Sequence, residues 1–298
     1  EYARPGRLLS NGAFVLRDWV VGSHVVAERN RHYWNDARTR VERVHYFHHS
    51  DAGTEFRQYR AGELDVTYIV PPQQFAWIEE HLPGELHVSP QLTVYYYGFN
   101  LTRPPFKEQP GLRRALSLVI DRERLTKAVT GLGEAPAYGW VPRGTANYTP
   151  QQFDYAGWPY AERVAEARRL YAEAGYSAQR PLQVEIRYNQ GEVHGRLAVA
   201  IAAMWKEALG VETTLYAEEF RALLQSIQAR TDTQVFRSSW VGDYNDAYTF
   251  AQLLHTDFGI NLPGYSNPRY DALLEQATRQ PDPGRRRALL EEAELLML

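Results

Sequence analysis

The chain has 298 residues, 44% of them hydrophobic, which suits one large packed domain or two ordinary ones and excludes wholesale disorder. Its 33 basic and 36 acidic residues leave a net charge of −3 with no long run of one sign, which argues against a nucleic-acid surface and a polybasic membrane patch. Mean hydropathy is −0.50, no apolar run reaches transmembrane length, and the lack of cysteine excludes a disulfide framework and a thiolate metal site. The chain starts at Glu1 without Met or a signal sequence and stops at Leu298 inside an amphipathic helix, so a fragment of a longer protein is expected.

In chain order, residues 13–21 and 24–29 read as two strands joined at Gly22-Ser23, a hairpin signal. Another strand is expected over 41–48, a short helix over 55–61 closed by Gly62, and a strand over 64–70 ended by Pro71-Pro72. A helix over 73–81 stops at Pro83-Gly84, and strands follow over 85–88 and 92–100. Residues 112–129 read as one long helix, followed by a Gly/Pro-rich loop from about 131 to 159. A helix over 161–174 has Gly175 at its end.

Then comes an alternating series: strand 182–188, helix 195–209, strand 211–217, helix 220–229 and strand 234–240. That order implies parallel strands joined by right-handed crossovers. Asn267-Pro268 and Asp282-Pro283 each open a further helix, an N-cap residue followed by Pro.

In such a unit the carboxyl ends of the strands lie on one side, where open α/β folds bind ligands. Residues 189–194 and 242–246 are the loops at those ends and should face one crevice. The second follows Arg237, Trp240 and Val241 and contains Gly242 and Asp243, a set suited to a zwitterion with an apolar body. Asp243 reads either as an anchor for a ligand ammonium or as a turn and cap residue. Arg237 points to the opposite strand face from Trp240. It could neutralise Asp243, hold a ligand carboxylate, or pair with a structural acid. Trp240 could stack on a ligand or fill core. His194 could bond a ligand or cap a helix.

Other patterns are weaker. His45, His48 and His49 lack a carboxylate at matching spacing, so no metal site is expected. Asp243 with Asp246, or Glu218 with Glu219, could serve as acid and base, but paired acids are common in turns. Gly131-Leu132-Gly133 follows no strand and completes no phosphate loop; no P-loop, nucleophile elbow or H-E-x-x-H motif is present. No cofactor is expected.

Several segments together resemble the periplasmic oligopeptide-binding proteins of ABC importers, extracellular solute-binding family 5. They include Asn11-Gly12-Ala13-Phe14, Tyr59–Tyr68, Tyr95-Tyr96-Tyr97, Asp121-Arg122, Pro136-Ala137-Tyr138, the stretch from Tyr188-Asn189 to His194, Ala200–Trp205, Trp240–Asn245 and Tyr265–Tyr270. The resemblance implies an α/β, two-lobed solute-binding fold (type II, large peptide-binding class), present as a fragment. Residues 1–94 would be part of the first lobe, 95–100 a hinge crossing, and 101–298 most of the second lobe.

It implies a non-enzymatic, monomeric protein, periplasmic or lipid-anchored, that captures short peptides, murein peptides among them, for the membrane subunits of an ABC importer. Asp243 would hold the peptide amino group. Arg237 and Trp240 would line its pocket. Val241 and Gly242 would offer main-chain groups. Tyr68, His194 and Asn189 would be further cleft residues. Two features depart from the family: Thr93 and Val241 stand where some members carry a cysteine pair, and the helix before Arg237 has only Arg230, out of register with the family's arginine there. A non-peptide solute such as an oligosaccharide is the alternative function, and a carboxylate-based glycoside enzyme a more distant one.

Overall fold

The computed structural model describes residues 4–49 and 51–298. The chain divides into two compact units, one ending at Leu82 and the other running from Pro83 to Leu298.

The smaller unit is built on an antiparallel meander of β1 (Phe14–Val20), β2 (His24–Arg29) and β3 (Arg43–Phe47). The expected hairpin forms at Gly22, whose φ of +76° belongs to the left-handed region that glycine enters without a Cβ penalty. α1 (Ala52–Arg60) starts earlier than expected because the Asp51 carboxylate accepts from Thr54 N–H at 2.7 Å and so caps it. α2 (Phe75–His81) follows.

Residues 64–70 do not form the expected strand. Val66 is 78% and Tyr68 93% exposed, and no described strand lies alongside to complete a ladder. Residues rich in β-branched and aromatic side chains become a strand only when a neighbour takes their main-chain groups. Residues 85–88, in the larger unit, are irregular for the same reason, and Pro83 and Pro90 flank them.

The larger unit centres on a four-stranded sheet in the order β4-β7-β5-β6: β4 (Thr93–Phe99), β5 (Gln183–Asn189), β6 (Glu212–Glu218) and β7 (Val235–Val241). β5 runs parallel to β6 and β7, as the alternating order predicts, and β4 closes the edge antiparallel to β7. Strand alternation sends neighbouring side chains to opposite faces. On one face Val184, Ile186 and Val235 pack under α3 (Pro110–Leu118), α5 (Tyr160–Glu173) and α6 (Glu192–Leu209), with Trp205 donating to Leu116 O at 2.9 Å. On the other, Val94, Tyr96 and Trp240 meet α8 (Tyr248–Ala251), α9 (Pro268–Arg279) and α10 (Pro283–Met297). Phe236 packs there against α7 (Phe220–Ala229), directly over Gly98, where an added Cβ would lie 2.4 Å from the ring.

The helix expected over 112–129 is broken. α3 stops at Leu118, and Asp121 opens a new turn by accepting from Arg124 N–H at 2.9 Å. That turn, α4 (Arg122–Arg124), continues as a π-helical segment, Leu125–Thr130, closed by Gly131 at φ +67°. α6 begins three residues before the expected start, so His194 sits in its first turn rather than in a loop. The caps at Asn267 and Asp282 form as read.

A buried carboxylate ties the long loop to α10. Glu294 is 3% exposed and accepts from Trp140 N–H and Val141 N–H at 2.7 and 2.8 Å. Its second oxygen accepts from Tyr148 O–H at 2.6 Å and Gln151 N–H at 3.0 Å.

Candidate functional site

β5 and β7 are parallel neighbours, so Asn189 and the 242–246 turn emerge at the same end of the sheet. Their ladder is short: only Ile186 with Val235 and Arg187 with Phe236 pair. β7 runs on to Val241 beyond that point, and its edge towards β5 has no strand on it. On its other edge β7 pairs with β4 throughout, and Gly242 N–H donates to Leu92 O at 2.8 Å. Main-chain groups alternate between the edges of an antiparallel strand, so Ser239 and Val241 direct theirs to the open edge. The Gly242 N–H, expected to face a ligand, is thus used inside the chain, while the ring of Phe250 and the methyl of Thr249 lie close behind its Cα.

Arg237 lies beside this edge. Its Nη1 donates to Asn189 Oδ1 at 2.9 Å and its Nη2 to Ser239 Oγ at 3.3 Å. The guanidinium carbon stands 4.4 Å from the centre of the Tyr95 ring, a cation–π contact. Its Nε is buried with no acceptor, and among the described residues no carboxylate pairs with it. Tyr95 Oη meets His194 Nδ1 at 3.1 Å, and the two rings stack at 5.8 Å. Burial, then the positive charge of Arg237, holds the His194 imidazole down to about 4, so it is neutral near pH 7. Tyr97 faces the same way, its Oη buried without a partner and its ionisation pushed up by burial.

Asp243 closes the other end of the edge. It is exposed, and among the described residues its polar contacts are with Thr249, whose hydroxyl accepts from Asp243 N–H at 3.3 Å and donates to Oδ2 at 3.4 Å. No described cation pairs with it. The neighbouring acids are all engaged. Asp246 forms a two-pronged pair with Arg286 at 2.7 and 2.9 Å, which holds its carboxyl below the usual range against the opposing effect of burial. Glu218 bonds Arg187 and Ser226, and Glu219 caps α7. Neither acid pair therefore offers two free carboxylates.

The predicted residues fall into three places. Asp243, Val241, Arg237, Asn189 and His194 border one strand edge. Trp240 lies on the opposite face from Arg237, part-buried against α8 to α10, though its Nε1 shares Thr249 Oγ1 with Asp243 at 3.2 Å. Tyr68 belongs to the smaller unit, where its N–H donates to the Glu55 carboxylate at 2.6 Å. Ser239, Tyr95, Tyr97 and Thr249 were missed as individual site residues. The alternation of Tyr95 and Tyr97 was the available signal, whereas Thr249 depends on how α8 packs. Arg230, the only base near the family's arginine position, is bound to Asn261 O and ends α7.

Among the described residues no three His, Asp or Glu side chains gather as metal ligands; His45 stacks on Phe47 and His49 bonds Gln58. Nor is any described helix long and apolar enough to cross a membrane.

The family described as bacterial extracellular solute-binding proteins, family 5 Middle, matches residues 2–261. The chain is 39% identical to the probable deoxycholate-binding periplasmic protein YgiS and 36% identical to the periplasmic murein peptide-binding protein MppA, both of Escherichia coli (strain K12). Each alignment covers 100% of this chain and 55% of the relative, so the chain spans about half their length. The solved structure of the E. coli murein tripeptide binding protein MppA superposes with a TM-score of 0.93, covering 99% of this chain and 58% of that one. Haemophilus influenzae OppA in complex with the peptide RPPGFSPFR superposes with a TM-score of 0.90 at 32% identity, over 99% of this chain and 58% of that one.

Proposed function

The chain belongs to the bacterial extracellular solute-binding proteins of family 5, and from that premise we propose that it carries the amino-group end of a site for short peptides. One observation carries the reading. A carboxylate without a cation, Asp243, and a cation without a carboxylate, Arg237, flank a single open strand edge. That arrangement is complementary to an extended zwitterion. The ligand ammonium meets Asp243. Its main chain pairs with Ser239 and Val241 as an added strand, giving affinity with little side-chain selectivity. The Arg237 guanidinium, with neutral His194 and Asn189 beside it, faces a ligand carboxylate or carbonyl. Gly242 leaves room for Phe250 and Thr249 behind the turn, and Trp240 supports Asp243 through Thr249.

In the whole protein, capture takes place in the periplasm, by a monomer that is free or lipid-anchored. The bound peptide is then handed to the membrane subunits of an ABC importer with no chemistry done on it. The periplasmic and peptide-binding names of the relatives support this.

A second reading has its own support, since YgiS is named as a probable deoxycholate binder. Such an amphipathic anion would use the Arg237 end and leave Asp243 idle. Calorimetry with free-amine peptides, their N-acetylated forms and deoxycholate separates the two. Asp243→Ala is expected to cost free-amine peptides about 2–5 kcal/mol and to leave N-acetylated ones unchanged. Unchanged affinity for free-amine peptides would falsify the anchor role, and deoxycholate binding without peptide binding would establish the second reading.

A further inference from the structure

A trough of about 580 Å³ opens between the outer side of α6, the π-helical segment 125–130 and the ends of β5 and β6. That is within the range of small-molecule sites, roughly 300–1,000 Å³. Its walls are mostly apolar: Val129, Tyr188, Val199, Ala200, Ala203 and Ala217. Gln190 and Gly191 also line it, and they directly follow Asn189, the residue that holds Arg237. The trough therefore continues the strand edge beyond the Arg237 end.

Arg196 is the cation of its lining. Its Nε and Nη2 are shielded from water and have no acceptor. Glu192 also lines the trough, and its carboxylate pairs with Arg196 only loosely, 4.0 Å from Nε and beyond hydrogen-bond reach. Buried donors without acceptors carry a desolvation cost that a bound anion removes. The start of α6 adds to the same field. Gly191, at φ +150°, has no side chain to cap the 18-residue helix, and it lines the trough beside the helix's positive end.

The geometry points to a pocket for an apolar group that carries a carboxylate, with Arg196 as its counter-ion and Val199, Ala200 and Ala203 as the floor for its apolar part. This rests in part on the peptide reading, under which the carboxylate is that of the ligand's last residue. A separate alkanoate presents the same chemistry. The charge and the apolar floor act together, so each can be removed without the other. Arg196→Met removes the charge and keeps the stem, and Ala203→Phe fills the floor from an exposed position outside the core.

Two measurements decide it. The first is calorimetry of alanine peptides ending in Leu, as free acid and as amide, alongside the same peptides ending in Gly. The second is saturation-transfer NMR of octanoate and octanol on the 298-residue chain. If the peptide end is the occupant, Arg196→Met weakens the free acid by about tenfold or more and the amide by less than about twofold. Ala203→Phe then weakens the Leu-ended peptides and spares the Gly-ended ones. If a free alkanoate is the occupant, octanoate binds the wild-type chain, Arg196→Met removes its signal and spares that of octanol, and the peptides do not respond. Either result supports the pocket. Octanoate and peptide affinities both insensitive to the two substitutions overturn it. Failure of every peptide on the wild-type chain overturns the peptide reading alone, because octanoate still tests the trough.

Discussion

The two units hold their backbones by different means. In the smaller one, Phe56 and Ile78 are the buried hydrophobic side chains among the described residues. Order there comes from polar contacts near water. Glu28 bridges Arg17 and Arg43 across the meander at 2.7 and 2.6 Å, and Glu42 bridges Arg29 and Arg31 at 2.8 and 2.7 Å. The larger unit packs apolar layers on both faces of its sheet and surrounds the buried Glu294 carboxylate with donors. Exposed ion pairs are screened and add little, whereas apolar burial is insensitive to salt and costly to undo. The candidate anchor, Asp243, stands on the unit that is expensive to deform.

The sharpest attack on that contrast is Trp205→Ala. Trp205 is 1% exposed and its indole N–H is bonded, so the loss expected is about 3–5 kcal/mol by urea unfolding. A loss no greater than that of a surface substitution would sink the contrast. Next is Glu294→Gln, which turns an amide N–H₂ towards a ring of donors that all need an acceptor. Roughly 1–3 kcal/mol should go, and protease cleavage within residues 139–151 should speed up. Resistance equal to wild type would show that the loop is held by other contacts.

The third effect is smaller and depends on pH. His194 is held near 4 in the folded chain, below its value in the unfolded one, so the unfolded chain binds the extra proton first. Its contribution is therefore complete above about pH 6.5 and fades as pH falls towards 4. His194→Asn should flatten that part of the stability profile, and an unchanged slope would assign it to other groups. Smallest of all is Glu28→Gln. Its carboxyl is held low by hydrogen bonds from Arg43 and Arg17, yet it lies in water. A slight drop in melting temperature is expected at low salt and none at high salt; a large, salt-independent drop would mean that the smaller unit depends on this lattice after all.

The same contrast decides what could be read before the fold was known. Signals complete within a few residues were legible, such as Gly22 in the hairpin, the caps at Asn267 and Asp282, and α7 to the residue. Strands at 64–70 and 85–88 were misread because a strand is a property of two segments and propensity describes one. The 112–129 helix was overextended because Asp121 starts a new turn instead of continuing the old one. At the site, the polar turn and Arg237 stood out by composition. Thr249 did not, because it meets Asp243 only through the packing of α8. The engagement of the Gly242 N–H depends on which edge of β7 each residue faces, and that is fixed by its register with β4.

Gly98 and Phe236 face each other across that same register, with no room for a Cβ between them. The two positions therefore amount to one inherited choice rather than two. A lineage that acquires a side chain at 98 must surrender the aromatic ring at 236 in the same step, or shift the strand that leads to Asp243. Covariation of this pair among relatives would be a record of how tightly the approach to the anchor has been kept.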